Sequence, residues 1–178
     1  AAIRFGLVAR VPEQLGDLYR CRPPCPNLDW VPLQSSGRTL QGEFKVRLGM
    51  SSPRWIDERL DECLDLFDDP KMFRFLHVPV QSGSERVLRH MKRDGTVAQF
   101  ERIHDAFTAR FPDSTVMTDI ISGYPAETEE DFGRTLALLG RVGLPAVNCS
   151  KFSARPGTAA ARLPQLHSSV ISDRSRRL

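Results

Sequence analysis

One stretch of the sequence, FRFLHVPVQSG at positions 73–83, restricts the possible folds more than any other. It is an apolar run rich in β-branched residues that ends in small and polar residues, and a helical pattern follows at once. Strands of a parallel sheet are buried on both faces and read as nearly continuous hydrophobics. Open α/β sheets and barrels bind ligands where the carboxyl end of such a strand meets the next helix. The stretch therefore predicts a buried strand, with Gln81, Ser82 and Gly83 in the loop where a ligand would bind.

The same order of apolar strand, polar glycine loop and helix recurs at positions 115–128, TVMTDIISGYPAET. Further strands are predicted at 44–50 and 145–152, and helices are predicted to follow caps at Ser52, Ser84, Thr96 and Thr128 and to begin at Ser168. Helices are the usual crossovers between parallel strands. The alternation therefore favours an α/β fold with a parallel sheet, either part of a barrel or doubly wound.

The predicted helices have apolar faces at helical spacing, which indicates the sides that pack inward. The expected inward residues are Ile56, Leu60, Cys63, Leu64 and Phe67 in the first helix, Phe100, Ile103, Phe107 and Phe111 in the third, and Phe132, Leu136 and Leu139 in the fourth. Cys63 lies on one of these faces and is interpreted as a core residue rather than a reactive thiol.

The overall composition is that of a folded chain with a single core. Its 178 residues are 40% hydrophobic and 26% charged, which argues against disorder. The net charge of +3 does not identify a nucleic-acid binder. From Lys151 to the end, however, six basic residues stand against one acid, Asp173. This tail suits either contact with phosphates or a solvated helix face, and the sequence leaves both open.

The four cysteines are too few for a disulfide framework and favour a reduced, intracellular setting. No apolar run reaches membrane-spanning length and no signal peptide is visible, so a cytoplasmic location is expected. Cys21 and Cys25 form a C-x3-C pair with prolines on both sides of Cys25, and a cluster motif would need a third cysteine where the chain has Leu28. They are therefore only weak candidates for metal ligands.

Three positions outside the first loop have chemistry of interest. Asp119 is a carboxylate inside an apolar strand, which requires either a ligand or a structural ion pair. Glu127, in the turn after Gly123, could bind a sugar or a purine edge, although glycine turns before helices are common. Arg93 could clamp a carboxylate through two hydrogen bonds or lie in water. The corner from Gln81 to Ser84 suits an anionic or polar ligand, and it is equally an ordinary capped turn.

Four longer stretches resemble the radical S-adenosylmethionine (SAM) methylthiotransferases that modify tRNA. They are VRLGMSSP, FLHVPVQSGSERVLRHMKR, TDIISGYPAETEEDF and NCSKFSARPGTAAARLPQ, and they occur in the family's order from Val46 onward. The last stretch is most similar to the branch that acts on threonylcarbamoyladenosine. The resemblance implies the latter part of an incomplete radical SAM (β/α) barrel, with ligands at the carboxyl ends of its strands.

The resemblance also implies a chemistry and a set of partners. In the family, a 4Fe-4S cluster reduces SAM to a radical that takes hydrogen from C2 of the modified adenosine at position 37 of the tRNA. Sulfur comes from a second cluster and the methyl group from another SAM. The positions implied to bind the cofactor are Gln81, Ser82, Gly83, Arg93, Asp119, Ile121, Gly123, Glu127 and Thr128. Those implied to face RNA are Lys151, Arg155 and Thr158.

The chain departs from the family pattern in ways that define the competing interpretations. The three-cysteine cluster motif is absent, and positions 1–43 do not match the family's first strands. We therefore expect a poorly readable, loop-rich or divergent region at 1–43, the latter part of the barrel at 44–166, and a basic terminal helix or linker at 167–178. The first interpretation is part of a methylthiotransferase that cannot cleave SAM by itself, and the alternative is a non-catalytic barrel remnant that binds RNA or protein. An unrelated aldolase-type barrel, which would be expected to have a catalytic lysine or paired carboxylates at its strand ends, ranks third.

Overall fold

A computed structural model of the chain describes residues 45–178. Its elements, in order, are helices α1 (Pro53–Glu58) and α2 (Leu60–Phe67), strand β1 (Phe75–His77), helices α3 (Glu85–His90) and α4 (Val97–Arg110), strand β2 (Thr115–Ser122), helix α5 (Glu129–Val142), strand β3 (Ala146–Lys151), a 3-10 turn (Ala160–Arg162) and helix α6 (Ser168–Arg177). The predictions for positions 1–43, including Cys21 and Cys25, lie outside the described residues.

The three strands form one parallel sheet in the order β1-β2-β3. Phe75 stands opposite Thr115, and Met117 stands opposite Ala146. Helices connect each strand to the next, so the predicted α/β fold with parallel strands is confirmed. Of residues 45–50, only Val46 pairs with another segment, at Met72, so the strand predicted at 44–50 is wrong in extent. Val46 contacts the segment that follows Pro70 through two backbone hydrogen bonds of 2.8 Å, from Val46 N to Lys71 O and from Phe73 N to Val46 O.

Local capping chemistry determines where most helices begin and end. Thr96 and Gln99 form a reciprocal capping box at the start of α4, and Thr128 and Asp131 form another at the start of α5. Gly143 ends α5 in the left-handed conformation, with φ of 63°. Ser52 precedes α1 with Pro53 in the first turn, as predicted. These boundaries could be predicted because each depends on residues within one turn.

Two helical predictions need correction. The first predicted helix is divided into α1 and α2, because the backbone leaves the helical conformation at Arg59, with φ of −136°. In α5 the buried stripe is Phe132, Thr135 and Leu138, while Leu136 is only half-buried. Thr135 is drawn inward because its hydroxyl hydrogen-bonds the loop after β1, which an apolar pattern cannot reveal.

The core lies between one face of the sheet and the helices. Val116, Thr118, Ile120 and Ser122 alternate along β2 as its buried side chains. Phe67 of α2 packs edge-on against Phe107 of α4, with ring centroids 4.8 Å apart. Cys63 is buried, as predicted, and burial raises the pKa of its thiol to about 12. Among residues 45–178, no helix combines the length and apolar character needed to cross a membrane.

The opposite side of the sheet is much less covered, and we call it the open face. Its members are Phe75, His77, Met117, Asp119, Ile121, Ala146, Asn148 and Ser150, all half-buried or exposed. In a closed barrel this face would point toward the axis, where ligands bind at the carboxyl ends of the strands.

Candidate active site

The carboxyl end of β1 contains a bulge that redirects the chain. His77 pairs with Met117 and Gln81 pairs with Ile120. The chain therefore advances four residues after β1 while β2 advances three, which leaves one extra residue in the first segment. The extra residue follows from Pro79, which has no N–H to give to the ladder. The Thr118 hydroxyl replaces the missing ladder bonds by accepting from Val80 N at 3.0 Å and donating to Val78 O at 2.7 Å.

Gln81 is the most unusual residue at this end of the sheet. Its φ of 73° lies in the left-handed region, which non-glycine residues seldom adopt. The residue is 7% exposed, and its backbone is fixed by bonds of 2.8 Å to Asp119 O and 3.0 Å from Ile121 N. Its carboxamide has no hydrogen-bond partner among residues 45–178. The positive φ and the amide without a protein partner make Gln81 a candidate ligand-binding residue, and its predicted part in cofactor binding stays a prediction.

The residues that follow Gln81 attach this loop to α5. Gly83 N donates to Thr135 Oγ1 at 2.9 Å, and Ser82 Oγ lies 3.4 Å from the same hydroxyl. Ser84 N donates to Ser82 Oγ at 3.1 Å. Both serine side chains are buried and already bonded within the protein. The hydroxyl of Ser82 therefore faces α5, and its predicted part in cofactor binding stays a prediction.

Asp131 of α5 is the centre of a polar cluster beneath the loop. Its carboxylate accepts hydrogen bonds of 2.6 Å from Ser84 Oγ and 2.9 Å from Thr128 N, and it forms an ion pair with Arg86. Burial alone would raise the pKa of Asp131, but the bonds from Arg86, Ser84 and Thr128 hold it well below its ordinary value. The sequence identified Thr128 as a cap and missed Arg86 and Asp131, whose pairing joins positions 45 residues apart.

This cluster makes stability depend on acid pH. The pKa of Asp131 is lower in the folded chain than in the unfolded one, so its stabilisation is present above about pH 4 and is lost as pH falls below that. We expect Asp131 to account for about 1 kcal/mol of the stability lost between pH 5 and pH 2, because Arg86 is partly exposed. Urea unfolding across this range should give a flatter acid limb for Asp131→Asn than for the unmodified chain. Parallel curves for the two proteins would contradict this assignment.

Asp119 lies on the open face at the centre of a polar row. Its Oδ1 accepts from Asn148 Nδ2 at 3.0 Å and lies 3.2 Å from His77 Nε2. Its Oδ2 has no partner among the described residues. Ile121, also implied by the resemblance, is on the same face two residues along β2. The sequence identified Asp119 from its apolar surroundings and missed His77 and Asn148, which meet it through strand register.

Glu127 is buried in the turn between β2 and α5 and already has partners. Its Oε2 accepts from Gly123 N at 2.9 Å and from Arg174 Nη1 at 2.7 Å. Burial raises the pKa of Glu127 above its ordinary value, and the bonds from Gly123 and Arg174 oppose that rise. The proposed contact of Glu127 with a sugar or purine stays a prediction, because the carboxylate holds α6 in place.

Gly123 occupies a position that admits no side chain. Its φ is 80°, and an added Cβ would lie 2.7 Å from Ile171 Cγ1 of α6. The next residue, Tyr124, donates its hydroxyl to His90 O at 3.0 Å, which joins this turn to the end of α3. The loops after β1 and β2 are therefore tied to one another and to α6.

The remaining predicted residues lie at the surface. Arg93 is exposed just after α3, and its guanidinium has no partner among residues 45–178. Lys151, the last residue of β3, and Arg155, four residues later, are exposed, and Lys151 Nζ lies 3.4 Å from Ser172 Oγ. Thr158 donates its hydroxyl to Arg155 O at 2.8 Å, which closes the turn. Arg93 and Arg155 are thus free to meet an external anion.

Comparison with known proteins agrees with this architecture. The family model described as the radical SAM superfamily matches residues 29–139, which include both candidate loops. The chain belongs to the radical SAM superfamily. Coproporphyrinogen III oxidase from Escherichia coli, a radical SAM enzyme, superposes with a TM-score of 0.62 at 18% identity, over 75% of this chain and 30% of its own. At that identity the likeness shows the shared radical SAM fold.

Close relatives of this radical SAM chain bear a more specific name. A probable threonylcarbamoyladenosine tRNA methylthiotransferase from Pyrococcus horikoshii is 46% identical over 139 residues, 78% of this chain and 33% of the relative. The human threonylcarbamoyladenosine tRNA methylthiotransferase is 41% identical over 133 residues, 75% of this chain and 23% of the relative. The chain thus spans about a third or less of the length of these curated relatives.

The two cofactors of the family fit the described residues differently. Gln81, in the loop after β1, donates its backbone N–H to Asp119 O of β2, and its unpaired amide and the free oxygen of Asp119 are of the kind that the polar groups of a nucleoside such as that of SAM could meet. For an iron-sulfur cluster, residues 45–178 contain no group of three potential ligands. Cys63 is buried in the core and Cys149 lies on β3, so neither contributes to such a group.

Proposed function

We propose that this chain provides the SAM-binding part of the radical SAM barrel of a tRNA methylthiotransferase that acts on threonylcarbamoyladenosine at position 37. The observation that supports it most directly is the pairing of Gln81 with Ile120 at the edge where β1 and β2 end. This pairing presents an unpaired amide beside the strand that contains Asp119. The 46% identity to the Pyrococcus horikoshii relative supports the choice of substrate.

The chain's own residues have separable tasks in this proposal. Asp119 on the open face and Gln81 in the loop after β1 bind the nucleoside of SAM, and exposed Arg93 binds the methionine carboxylate as a planar, two-bond partner. Lys151 and Arg155 contact phosphates of the tRNA, and Thr158 keeps their turn closed. In the family, SAM supplies both the hydrogen-abstracting group and the methyl group.

We also propose that these 178 residues alone do not cleave SAM. The C-x3-C pair at Cys21 and Cys25 lacks a third cysteine at position 28, and the described residues fit no cluster. The alternative of a non-catalytic RNA-binding remnant has less support, because Arg174 and Arg177 of the basic tail are ion-paired with Glu127 and Glu129. Those two arginines are not free to bind phosphate.

Binding of SAM to the purified 178-residue chain tests the first part of the proposal. We expect calorimetry to show binding, and Gln81→Ala and Asp119→Asn each to weaken it about tenfold, the usual result of losing a strong hydrogen bond. The control is Glu130→Gln, an exposed partner of Arg134 on α5, which should bind as the unmodified chain does. If SAM does not bind, or both variants bind as tightly as the control, the proposed site is wrong.

The choice of tRNA substrate needs a complete enzyme around the site. Replacing the matched 139-residue region of the Pyrococcus horikoshii relative with that of this chain provides one. We expect the chimera to form 2-methylthio-threonylcarbamoyladenosine in tRNA, detected by mass spectrometry of digested nucleosides, and the 178-residue chain to form none. A chimera that folds and binds SAM without modifying tRNA would contradict the substrate assignment.

A further inference from the structure

The open face has three polar side chains in a row on adjacent strands. They are His77 of β1, Asp119 of β2 and Asn148 of β3, and the register places Asp119 directly opposite Asn148. Asn148 Nδ2 donates to Asp119 Oδ1 at 3.0 Å, and His77 Nε2 faces the same oxygen at 3.2 Å. Two nitrogen atoms therefore approach one carboxylate oxygen from opposite sides.

The Nε2 atom of His77 lies near Asp119 without forming a hydrogen bond to it. Nε2 is fully buried and makes no hydrogen bond among residues 45–178, although Asp119 Oδ1 is within reach. Buried polar atoms nearly always have a partner. Hydrogen bonds in ligand-binding sites are often misaligned until the ligand is present. A small rotation of the imidazole would align the His77 N–H with Asp119.

The second oxygen of Asp119 shows what this arrangement achieves. A carboxylate has two acceptor oxygens, and Oδ1 is occupied by the row while Oδ2 has no partner among the described residues. The Asp119 side chain is 15% exposed, so a ligand on the open face can reach it. The Gln81 amide makes no hydrogen bond to Asp119, although Gln81 pairs with Ile120, the next residue of β2.

We propose that His77 is a positioning residue for the cofactor, an inference that rests on the proposed function. With SAM bound, the His77 Nε2–H donates to Asp119 Oδ1, and together with Asn148 it fixes the rotation of the carboxylate. Oδ2 then accepts hydrogen bonds from the hydroxyl groups of the bound nucleoside. His77 acts through Asp119 and makes no contact with the cofactor.

The first test compares two replacements of His77 in the 178-residue chain. Phenylalanine keeps the ring and removes the donor, whereas glutamine places an amide N–H near the position of Nε2. We expect His77→Phe to weaken SAM binding about tenfold and His77→Gln to stay within about threefold of the unmodified chain. In an Asp119→Asn background, His77→Phe should have little further effect, because the group that it positions is already changed.

The second test does not depend on SAM binding. Two-bond nitrogen-proton correlation spectra of the imidazole report which nitrogen bears the proton. We expect His77 to be the Nε2–H tautomer in the free chain, and Asp119→Ala to shift the Nε2 resonance. An Nδ1–H tautomer would overturn the inference whatever the affinity for SAM.

The outcomes separate this inference from the function on which it rests. If the unmodified chain binds SAM and His77→Phe binds equally well, the positioning role is wrong and the proposed function stands. If both replacements of His77 weaken binding equally, His77 shapes the site only by packing, and the inference is again wrong. If the chain shows the Nε2–H tautomer but no affinity for SAM, the proposed function fails, and the positioning role of His77 fails with it.

Discussion

Replacing Arg174 with methionine is expected to lower the free energy of unfolding by about 3–5 kcal/mol, which is typical when one partner of a buried ion pair is removed. Arg174 Nη1 lies 2.7 Å from Glu127 Oε2, and the two side chains are 5% and 1% exposed. Methionine would fill much of the space but leave the Glu127 carboxylate buried beside an apolar chain. Urea unfolding followed by circular dichroism at pH 7 measures the change.

Two comparisons separate this ion pair from general effects on α6. Arg176 is on the same helix, is 77% exposed and lies 3.5 Å from Asp173, so Arg176→Met should change stability by about 0.5 kcal/mol or less. The double variant Glu127→Gln, Arg174→Met should be less destabilised than the sum of its single changes, because no charge is then left buried. An Arg174→Met protein with an unchanged unfolding midpoint would show that the pair contributes little.

The same pair links stability to the candidate site. Glu127 also accepts from Gly123 N, and Gly123 lies against Ile171 of α6. Helix α6 therefore supports the loop that follows β2, the strand that contains Asp119. The basic tail had suggested either a phosphate-facing or a solvated helix. Neither describes Arg174, which is buried.

Features that depend on neighbouring residues could be predicted from the sequence. The apolar runs predicted where the three parallel strands lie, although one face of their sheet is half-buried or exposed rather than buried. The Thr96 and Thr128 caps predicted the starts of α4 and α5, because capping needs residues only three positions apart. Gln81 was identified by its place after a predicted strand, and Asp119 as a carboxylate inside an apolar one. Cys63 was assigned to the core from helical spacing, and it is buried there.

Features that depend on distant pairing could not be predicted. Arg174 and Glu127 are 47 residues apart, and nothing in their local sequence marks them as partners. His77 meets Asp119 only through the register of β1 and β2, and a shift of one residue would turn it to the other face. The positive φ of Gln81 follows from a bulge whose missing bonds are replaced by a threonine on another strand.

Gly83→Ala is expected to destabilise the fold by about 3 kcal/mol, at the upper end of the usual cost of adding a methyl group to a packed interior. An added Cβ would lie 2.6 Å from both Arg134 O and Thr135 Cα of α5. These are backbone atoms, so no side-chain rotation relieves the contact and the loop must move away from the helix. Because Gln81 is two residues away, we also expect weaker SAM binding in calorimetry.

Gly133→Ala is the matched control, since it adds the same methyl group on α5, the helix that a Cβ at Gly83 would contact. Nothing lies within 4 Å of a Cβ at Gly133, and alanine is the better helix former, so this variant should be more stable by about 0.5–1 kcal/mol. Thr135→Ser should not restore the stability of Gly83→Ala, because Arg134 O and Thr135 Cα, which the added Cβ would contact, stay in place. If Gly83→Ala unfolds at the same urea concentration as Gly133→Ala, the loop and α5 are not in close contact. The glycine of the QSGS loop would then serve the ligand rather than the packing.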